Sequence, residues 1–139
     1  MNDIAGKPPT NNRRKRYHRA GDRPLALTER DIDIIGHVAR HRFLRSDHVA
    51  VLVGGSQQRI LRRLRLLFDH GYLDRPTAQL TYQHIEGNRP MAYGLGNRGA
   101  DALTAERGLP YDTINWTWKN KKVRAPFLDH TLAVADCMV

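Results

Sequence analysis

The chain has 139 residues, a length that suits one compact domain and leaves no room for a second full core. It carries 23 Lys and Arg residues against 14 Asp and Glu residues, for a formal net charge of +9 and an isoelectric point near 10.3. Folding does not require this excess of positive charge, whereas binding to a polyanion explains it, so nucleic acid is the leading predicted partner.

The cysteine content and the hydropathy exclude disulfide-rich secreted proteins and membrane-spanning proteins. Cys137 is the single cysteine of the sequence, so no intramolecular disulfide can form. No stretch approaches the roughly 18 consecutive apolar residues of a membrane span. We therefore expect a cytoplasmic protein in which the Cys137 thiol is buried in an apolar helix.

Residues 1–24 are predicted to form a disordered basic arm. They hold seven Lys and Arg residues, two acidic residues and almost no aliphatic side chains, so they cannot bury enough apolar surface to offset their ordering entropy. Counterion release favours contact between such an arm and a phosphate backbone, although a solubilising tail is the alternative. The candidate DNA contacts in the arm are Arg13, Arg14, Lys15 and Arg16.

The folded domain is predicted over residues 25–108 and begins with a helix over residues 28–41. Thr28 and Asp31 form a capping-box pattern with Asp in place of the usual Glu, and apolar residues then recur at helical spacing. Ser46 is expected to cap a second, short helix, which ends at a glycine pair.

Residues 56–69 are predicted to form the recognition helix of a helix-turn-helix. Its apolar residues share one face, and no acidic residue lies between Ser56 and Phe68, where a merely solvated face normally mixes charges. Arg bonds the guanine edge and Gln the adenine edge in the major groove. The residues predicted near base edges are Ser56, Gln57, Gln58, Arg59 and Arg62, and those predicted near phosphates are Arg63 and Arg65. A solvated helix face is the alternative.

The segment after the recognition helix is predicted to form a β-hairpin that acts as a wing. Short apolar runs over residues 72–73, 80–85 and 91–95 are separated by turn residues, and helical spacing returns over residues 97–107. A hairpin that only closes the core is the alternative. The candidate DNA contacts in this segment are Arg75, Asn88 and Arg89.

The C-terminal part, residues 109–139, is predicted to be a loop followed by a helix. Residues 109–126 have no clean periodicity, whereas residues 127–139 have helical spacing and an apolar face that runs to the last residue. This unfinished face predicts a homodimer formed through residues 127–139, or a chain that is a fragment of a longer protein.

Two groups of residues have spacings that also occur in cofactor-binding or metal-binding sites. Gly94, Gly96 and Gly99 match a dinucleotide-binding pattern, but no βαβ unit surrounds them, so turn geometry is the preferred interpretation. His37 and His41 have one possible metal spacing without a third ligand nearby, and we expect exposed histidines there. We expect no enzyme activity, no cofactor and no metal site.

Three segments of the sequence resemble the replication-relaxation family, winged-helix proteins of bacterial plasmids and other mobile elements. They are "RRLRLLFDHGYLDR", "YGLGNRGADAL" and the late H-x-L-x-V-x-D pattern at His130, Leu132, Val134 and Asp136. The resemblance covers residues 25–136 and implies an α+β winged helix-turn-helix fold with three helices, a β-hairpin wing and additional C-terminal helices. It also implies DNA binding in plasmid replication, its control or transcription. Longer members continue beyond the late helix.

The sequence thus predicts a duplex DNA-binding protein that recognises specific sites and regulates transcription or the replication of a plasmid or mobile element. The alternative is a protein-interaction module that recruits a replication or conjugation protein to its positive face. An RNA-binding role is disfavoured because the sequence lacks a β-sheet platform with paired aromatic residues.

Overall fold

The computed structural model describes residues 16–20, 24–80 and 89–139. Within these ranges the chain forms six α-helices and a three-stranded antiparallel sheet, which confirms the predicted α+β class. The helices are α1 (Glu29–His41), α2 (Ser46–Val53), α3 (Gln57–Asp69), α4 (Asn97–Arg107), α5 (Trp116–Lys122) and α6 (Ala125–Met138). The strands are β1 (Phe43–Arg45), β2 (Leu73–Asp74) and β3 (Ala92–Leu95), and a 3₁₀ turn (Thr77–Gln79) follows β2.

The sheet has the order β1-β3-β2, so β3 lies in its centre. Phe43 pairs with Gly94 on one side of β3, and Leu73 pairs with Leu95 on the other. Strands β2 and β3 are two parts of the predicted hairpin, and the helix-strand order is compatible with a winged helix. Leu80 is helical and is not part of a strand, while the rest of the predicted 80–85 strand and Asn88 lie outside the described residues.

Helix α1 begins with the predicted capping box. The Asp31 N–H donates to the Thr28 hydroxyl at 3.1 Å, and the Thr28 N–H donates to the Asp31 carboxylate at 2.9 Å. These two bonds satisfy backbone groups that the first helical turn leaves without partners. The apolar face of α1 buries Ile32, Ile35 and Val38 in the main core, as its spacing predicts.

The predicted cap of α2 is wrong. Ser46 is the first helical residue and is buried, and Arg45 occupies the cap position. The Ser46 N–H donates to the Met91 carbonyl at 2.9 Å, because β1 runs directly into α2 and its pairing beside β3 continues there. The Arg45 N–H donates instead to Nδ1 of His48 at 3.0 Å.

Helix α3 follows α2 across a turn in which Gly54 and Gly55 have positive φ values of 70° and 91°. Ser56 caps α3 as predicted, since its side chain accepts the Arg59 N–H. The buried face of α3 consists of Ile60, Leu64, Leu67 and Phe68, which lie in the main core, and the helix packs against α2 and β2.

Glycines at the junction of β3 and α4 let two parts of the backbone approach closely. A Cβ atom on Gly96 would lie 2.4 Å from the Gly71 carbonyl oxygen, and one on Gly99 would lie 2.2 Å from the Tyr72 carbonyl oxygen. The glycine pattern of the sequence therefore has a packing role, with α4 seated directly against the entry to β2. Helix α4 covers the predicted range and ends at Gly108 with a φ of 67°.

The prediction of a loop over residues 109–126 is wrong for Trp116–Lys122, which forms α5. Asn115 caps this helix by accepting the Trp118 N–H at 3.1 Å. This helix has seven residues and buries two side chains, Trp116 and Asn120, so its sequence shows no repeat of apolar residues. Helix α5 and the last helix both pack on the domain.

Helix α6 packs against β1 and the 3₁₀ turn, and its buried residues are Leu128, Leu132 and Ala135. The predicted burial of Cys137 is wrong: the thiol is exposed, because this position falls outside the buried row of α6. Histidines 37 and 41 of α1 are half-buried, not exposed as expected. In the described part of the chain, no helix is both long and apolar enough to cross a membrane.

The prediction of a disordered arm does not hold for residues 16–20, which lie against α3 and β2. The Ala20 N–H donates to Asp69 at 3.2 Å, and the Arg19 guanidinium donates to the Leu73 carbonyl at 3.1 Å and also to the Phe68 carbonyl. Arg13, Arg14 and Lys15 lie outside the described residues.

Candidate nucleic-acid interface

The outer face of α3 consists of exposed polar residues in the first two turns of the helix. These are Gln57, Gln58, Arg59 and Arg62, next to the exposed capping residue Ser56. Among the residues that the structure describes, the Arg59 and Arg62 guanidinium groups form no hydrogen bond and no ion pair. The outer face of α3 therefore presents side-chain donors that the described fold does not use.

Arg63 has a different environment from its neighbours. Its Nε donates to one oxygen of Asp31 at 3.0 Å, and its NH2 donates to the other oxygen. Asp31 is fully buried, with 0% of its surface exposed. Burial alone would raise the pKa of Asp31, but the hydrogen bonds from Arg63 and Thr28 outweigh that effect and lower it. Arg63 thus connects α3 to the first turn of α1.

Arg65 connects α3 to the N-terminal segment. Its Nε lies 3.2 Å from the Asp69 carboxylate one turn further on, and its NH2 donates to the His18 carbonyl at 3.4 Å. The same carboxylate accepts the Ala20 N–H. Arg65 is therefore engaged in holding residues 16–20 against the last turns of α3.

Arg75 lies at the end of β2 and is also engaged within the domain. It donates to the Tyr93 hydroxyl at 2.8 Å and to the Arg16 carbonyl at 2.6 Å, and its guanidinium lies 4.6 Å from the centre of the Phe68 ring. Burial raises the pKa of Tyr93, although the nearby Arg75 opposes this. Arg16, predicted in the arm, is exposed.

Arg89, predicted as a wing contact, faces α6. One of its guanidinium nitrogens lies 4.0 Å from the Asp129 carboxylate, and 29% of its side chain is exposed. Asn88, the other wing candidate, is outside the described residues. The structure thus brings Ser56, Gln57, Gln58, Arg59 and Arg62 together on one surface and places Arg63, Arg65, Arg75 and Arg89 elsewhere.

A cavity of about 420 Å³ lies between the last turn of α3, the N-terminal segment and α5. On its wall the buried Asp74 carboxylate accepts hydrogen bonds from Arg19 at 2.5 Å and from Asn120 at 2.8 Å. The Asn120 amide also donates to the Leu95 carbonyl at 2.8 Å. Nothing in the sequence indicates this network, because its members come from three distant parts of the chain.

Asp136, the last residue of the H-x-L-x-V-x-D pattern, joins α6 to the start of α2. Its carboxylate lies 2.7 Å from Nε2 of His48 and 2.5 Å from the Arg45 guanidinium. Since Nδ1 of His48 accepts the Arg45 N–H, Nε2 is the donor to Asp136. These bonds lower the pKa of Asp136. Leu132 is buried and His130 is exposed.

The described residues contain no group of three or more His, Cys, Asp or Glu side chains arranged to hold a metal ion. Comparisons with curated proteins and with solved structures returned no match. A family model described as replication-relaxation matches residues 35–139, which is well over half of the chain. The chain therefore belongs to the replication-relaxation family, and this membership implies a role in the replication or relaxation of a plasmid or mobile element.

Proposed function

We propose that this protein binds duplex DNA at specific sequences by placing α3 in the major groove, and that it thereby regulates transcription or replication of a plasmid or mobile element. The observation that carries the proposal is the outer face of α3. Arg59 and Arg62 are exposed there without an internal partner among the described residues, beside two exposed glutamines. These are the side chains that read guanine and adenine edges.

The elements around α3 support this role because they fix its orientation. Arg63 binds the helix to Asp31 of α1, and the Arg30 guanidinium donates to the Gly54 carbonyl in the turn before α3. A recognition helix reads bases accurately only when a rigid scaffold holds it. The contacts with α1 therefore fix the outer face of α3 in one position relative to the domain.

The basic charge of the chain supports a contribution from phosphate contacts. With a formal net charge of +9, release of counterions should make binding strongly dependent on salt. Arg63 and Arg65 are engaged in internal ion pairs with Asp31 and Asp69, so we expect them to contribute less to this salt dependence than Arg59 and Arg62.

The test begins with a random-sequence duplex of about 30 base pairs in a salt series, followed by selection of a preferred site from a random pool. Arg62→Ala should weaken binding to the selected site by about 1–3 kcal/mol if Arg62 contacts a base. The matched control is Arg40→Ala, which removes an exposed arginine from the opposite end of α1, about 14 Å along the helix from Asp31.

Two results would contradict the proposal. Equal loss of affinity in Arg62→Ala and Arg40→Ala would show that only net charge matters, and failure of the whole chain to bind any duplex at low salt would exclude DNA binding. The second result would favour the protein-interaction alternative, in which the positive surface meets an acidic partner.

We also propose that the protein acts as a homodimer through α6. Phe127, Val134 and Met138 are exposed and lie on one stripe of the helix, about 100° from the buried row that faces β1. Binding sites with two-fold symmetry require such a dimer. Phe127→Glu should convert a dimer into a monomer in a measurement of mass in solution, whereas Ala133→Glu, on another side of α6, should not. An unchanged mass in Phe127→Glu would refute this interface.

A further inference from the structure

The α5 surface, which consists of Trp118, Lys119, Lys122 and Arg124, combines an exposed aromatic ring with a cluster of basic residues. Trp118 is 55% exposed, while Trp116 in the same helix is 9% exposed. The sequence over residues 113–128 contains four basic residues and no acidic residue. These basic residues are Lys119, Lys121, Lys122 and Arg124.

The helical periodicity of α5 separates its side chains into rows. Trp116 and Asn120 point into the domain, so Trp118 and Lys122, about half a turn away, point outward. The Lys122 ammonium lies 3.9 Å from the centre of the Trp118 ring. The indole is thus held on the outside of the helix with a cation at one face, which is a geometry that suits stacking of another ring on the other face.

We propose that the α5 surface binds single-stranded DNA, with Trp118 stacking on a base and Lys119, Lys122 and Arg124 contacting the phosphates. A sequence-tolerant single-strand site needs both of these elements, a stacking platform and a basic track. An apolar protein surface that covered Trp118 would have to desolvate the adjacent lysines without pairing them. A single strand provides a base that stacks on the Trp118 ring and phosphates that pair with the basic side chains.

The position of α5 makes this site compatible with duplex binding through α3. Thr117 and Lys121, on a third row of α5, line the same cavity of about 420 Å³ as Phe68 in the last turn of α3. The α5 surface therefore lies toward the C-terminal end of α3, whereas the proposed duplex contacts lie in the first two turns of that helix. The inference extends the proposed function but has its own test, since single-strand binding and duplex binding can be measured separately.

The probe is oligothymidylate of about 20 nucleotides, measured by anisotropy and by tryptophan fluorescence. The whole chain should bind it with an affinity that falls with salt. Trp118→Leu should weaken this binding about 5- to 100-fold, the effect of losing one stacked base, whereas Trp118→Tyr keeps a ring and should bind within a few-fold of the parent. The duplex affinity of Trp118→Leu should be unchanged, which also shows that the variant is folded.

The lysines provide a second test with a matched control. Lys122→Gln should weaken oligothymidylate binding more than Arg40→Gln, which removes the same charge from the end of α1. Quenching of fluorescence should disappear in Trp118→Leu, because the remaining Trp116 is buried.

Three results would overturn the inference: no binding of oligothymidylate by the whole chain, parental affinity in Trp118→Leu, or equal loss of duplex and single-strand affinity in that variant. The last result would make α5 part of the duplex interface. If the chain bound oligothymidylate through Trp118 but bound no duplex, the proposed function would fail and the α5 site would stand.

Discussion

Replacing Arg63 with Gln removes the guanidinium that faces the Asp31 carboxylate and tests whether Arg63 holds the domain together or contacts DNA. Asp31 has 0% of its surface exposed, so in the variant the carboxylate would stay buried with Thr28 as its remaining hydrogen-bond donor. Removing one partner of a buried ion pair costs about 3–5 kcal/mol. That is a large share of the roughly 5–15 kcal/mol of a typical domain.

Replacing the other partner of the ion pair, Asp31, should lower the free energy of unfolding by less than Arg63→Gln does. In Asp31→Asn the unpaired charge is that of Arg63, whose side chain is 28% exposed and can turn toward water, and the amide can still accept the Thr28 N–H. We expect a loss of about 1–2 kcal/mol, comparable to a lost helix cap or one charged hydrogen bond. The double variant should be more stable than Arg63→Gln alone, because it leaves no buried carboxylate.

Lowering the pH should reduce the loss of stability that Arg63→Gln causes. In the parent the lowered pKa of Asp31 contributes stability that is present above the unfolded pKa and is lost as pH falls through the folded pKa. Without Arg63, burial should raise the pKa of Asp31, so the variant gains relative stability when that carboxyl is protonated. The difference in unfolding free energy between variant and parent should therefore be smaller near pH 4 than near pH 7.

The measurement is urea unfolding followed by circular dichroism, with Arg62→Gln as the control. Arg62 forms no hydrogen bond or ion pair with the described residues, so its replacement should change stability by no more than about 0.5 kcal/mol while weakening DNA binding. If Arg63→Gln unfolded at the same urea concentration as Arg62→Gln, and lost DNA affinity instead, the structural role assigned to the Arg63–Asp31 pair would be refuted.

Two further predictions concern packing and the α6 contact. Gly99→Ala should lower the free energy of unfolding by about 2–3 kcal/mol, because the added Cβ would clash with the Tyr72 carbonyl. Gly36→Ala should raise it by about 0.5–1 kcal/mol, since the nearest atom outside its own helix would be 3.8 Å from the added Cβ. Thermal unfolding that shifted both variants in the same direction would contradict this prediction. Asp136→Asn should lower the free energy of unfolding by about 1 kcal/mol or less, because the carboxylate is half exposed. Urea unfolding should show this loss of stability vanishing as the pH falls through the lowered pKa of Asp136. A loss that became larger at low pH would contradict the prediction.

The helices α1, α3 and α4 could be predicted from the sequence because each has its determinants within its own length. Thr28 and Asp31 carry the start of α1, and Ser56 carries the start of α3. Strand β1 could not be predicted in this way. It has three residues, too few to show alternation, and its partner Gly94 lies about fifty residues further along the chain. Helix α5 has too few buried turns to produce a repeat.

The exposed face of α3 could also be predicted from the sequence, but which of its arginines pair with acidic residues could not. The absence of acidic residues among residues 56–68 indicated free positive charge on the whole face. Arg59 and Arg62 agree with that interpretation. Arg63 does not, because the acid that pairs with it is supplied by α1, 32 residues earlier. A pattern within one helix carries no information on acidic partners from another.

The contacts of residues 16–20 decide how the predicted basic arm should be tested. Deleting residues 1–24 would remove Arg19 together with the arm, and the buried Asp74 carboxylate would lose its ion pair with the Arg19 guanidinium. We expect that deletion to cost about 1–3 kcal/mol of stability, because it leaves a buried acceptor less well satisfied.

Deleting only residues 1–15 removes four of the seven basic residues of the arm and keeps Arg19 in place. This shorter deletion should leave the urea midpoint unchanged and reduce the salt dependence of duplex binding, because fewer phosphates would be neutralised. An unchanged salt dependence would show that the arm does not contact DNA. A lowered urea midpoint would show that residues before Arg16 also stabilise the domain, which the described contacts do not predict.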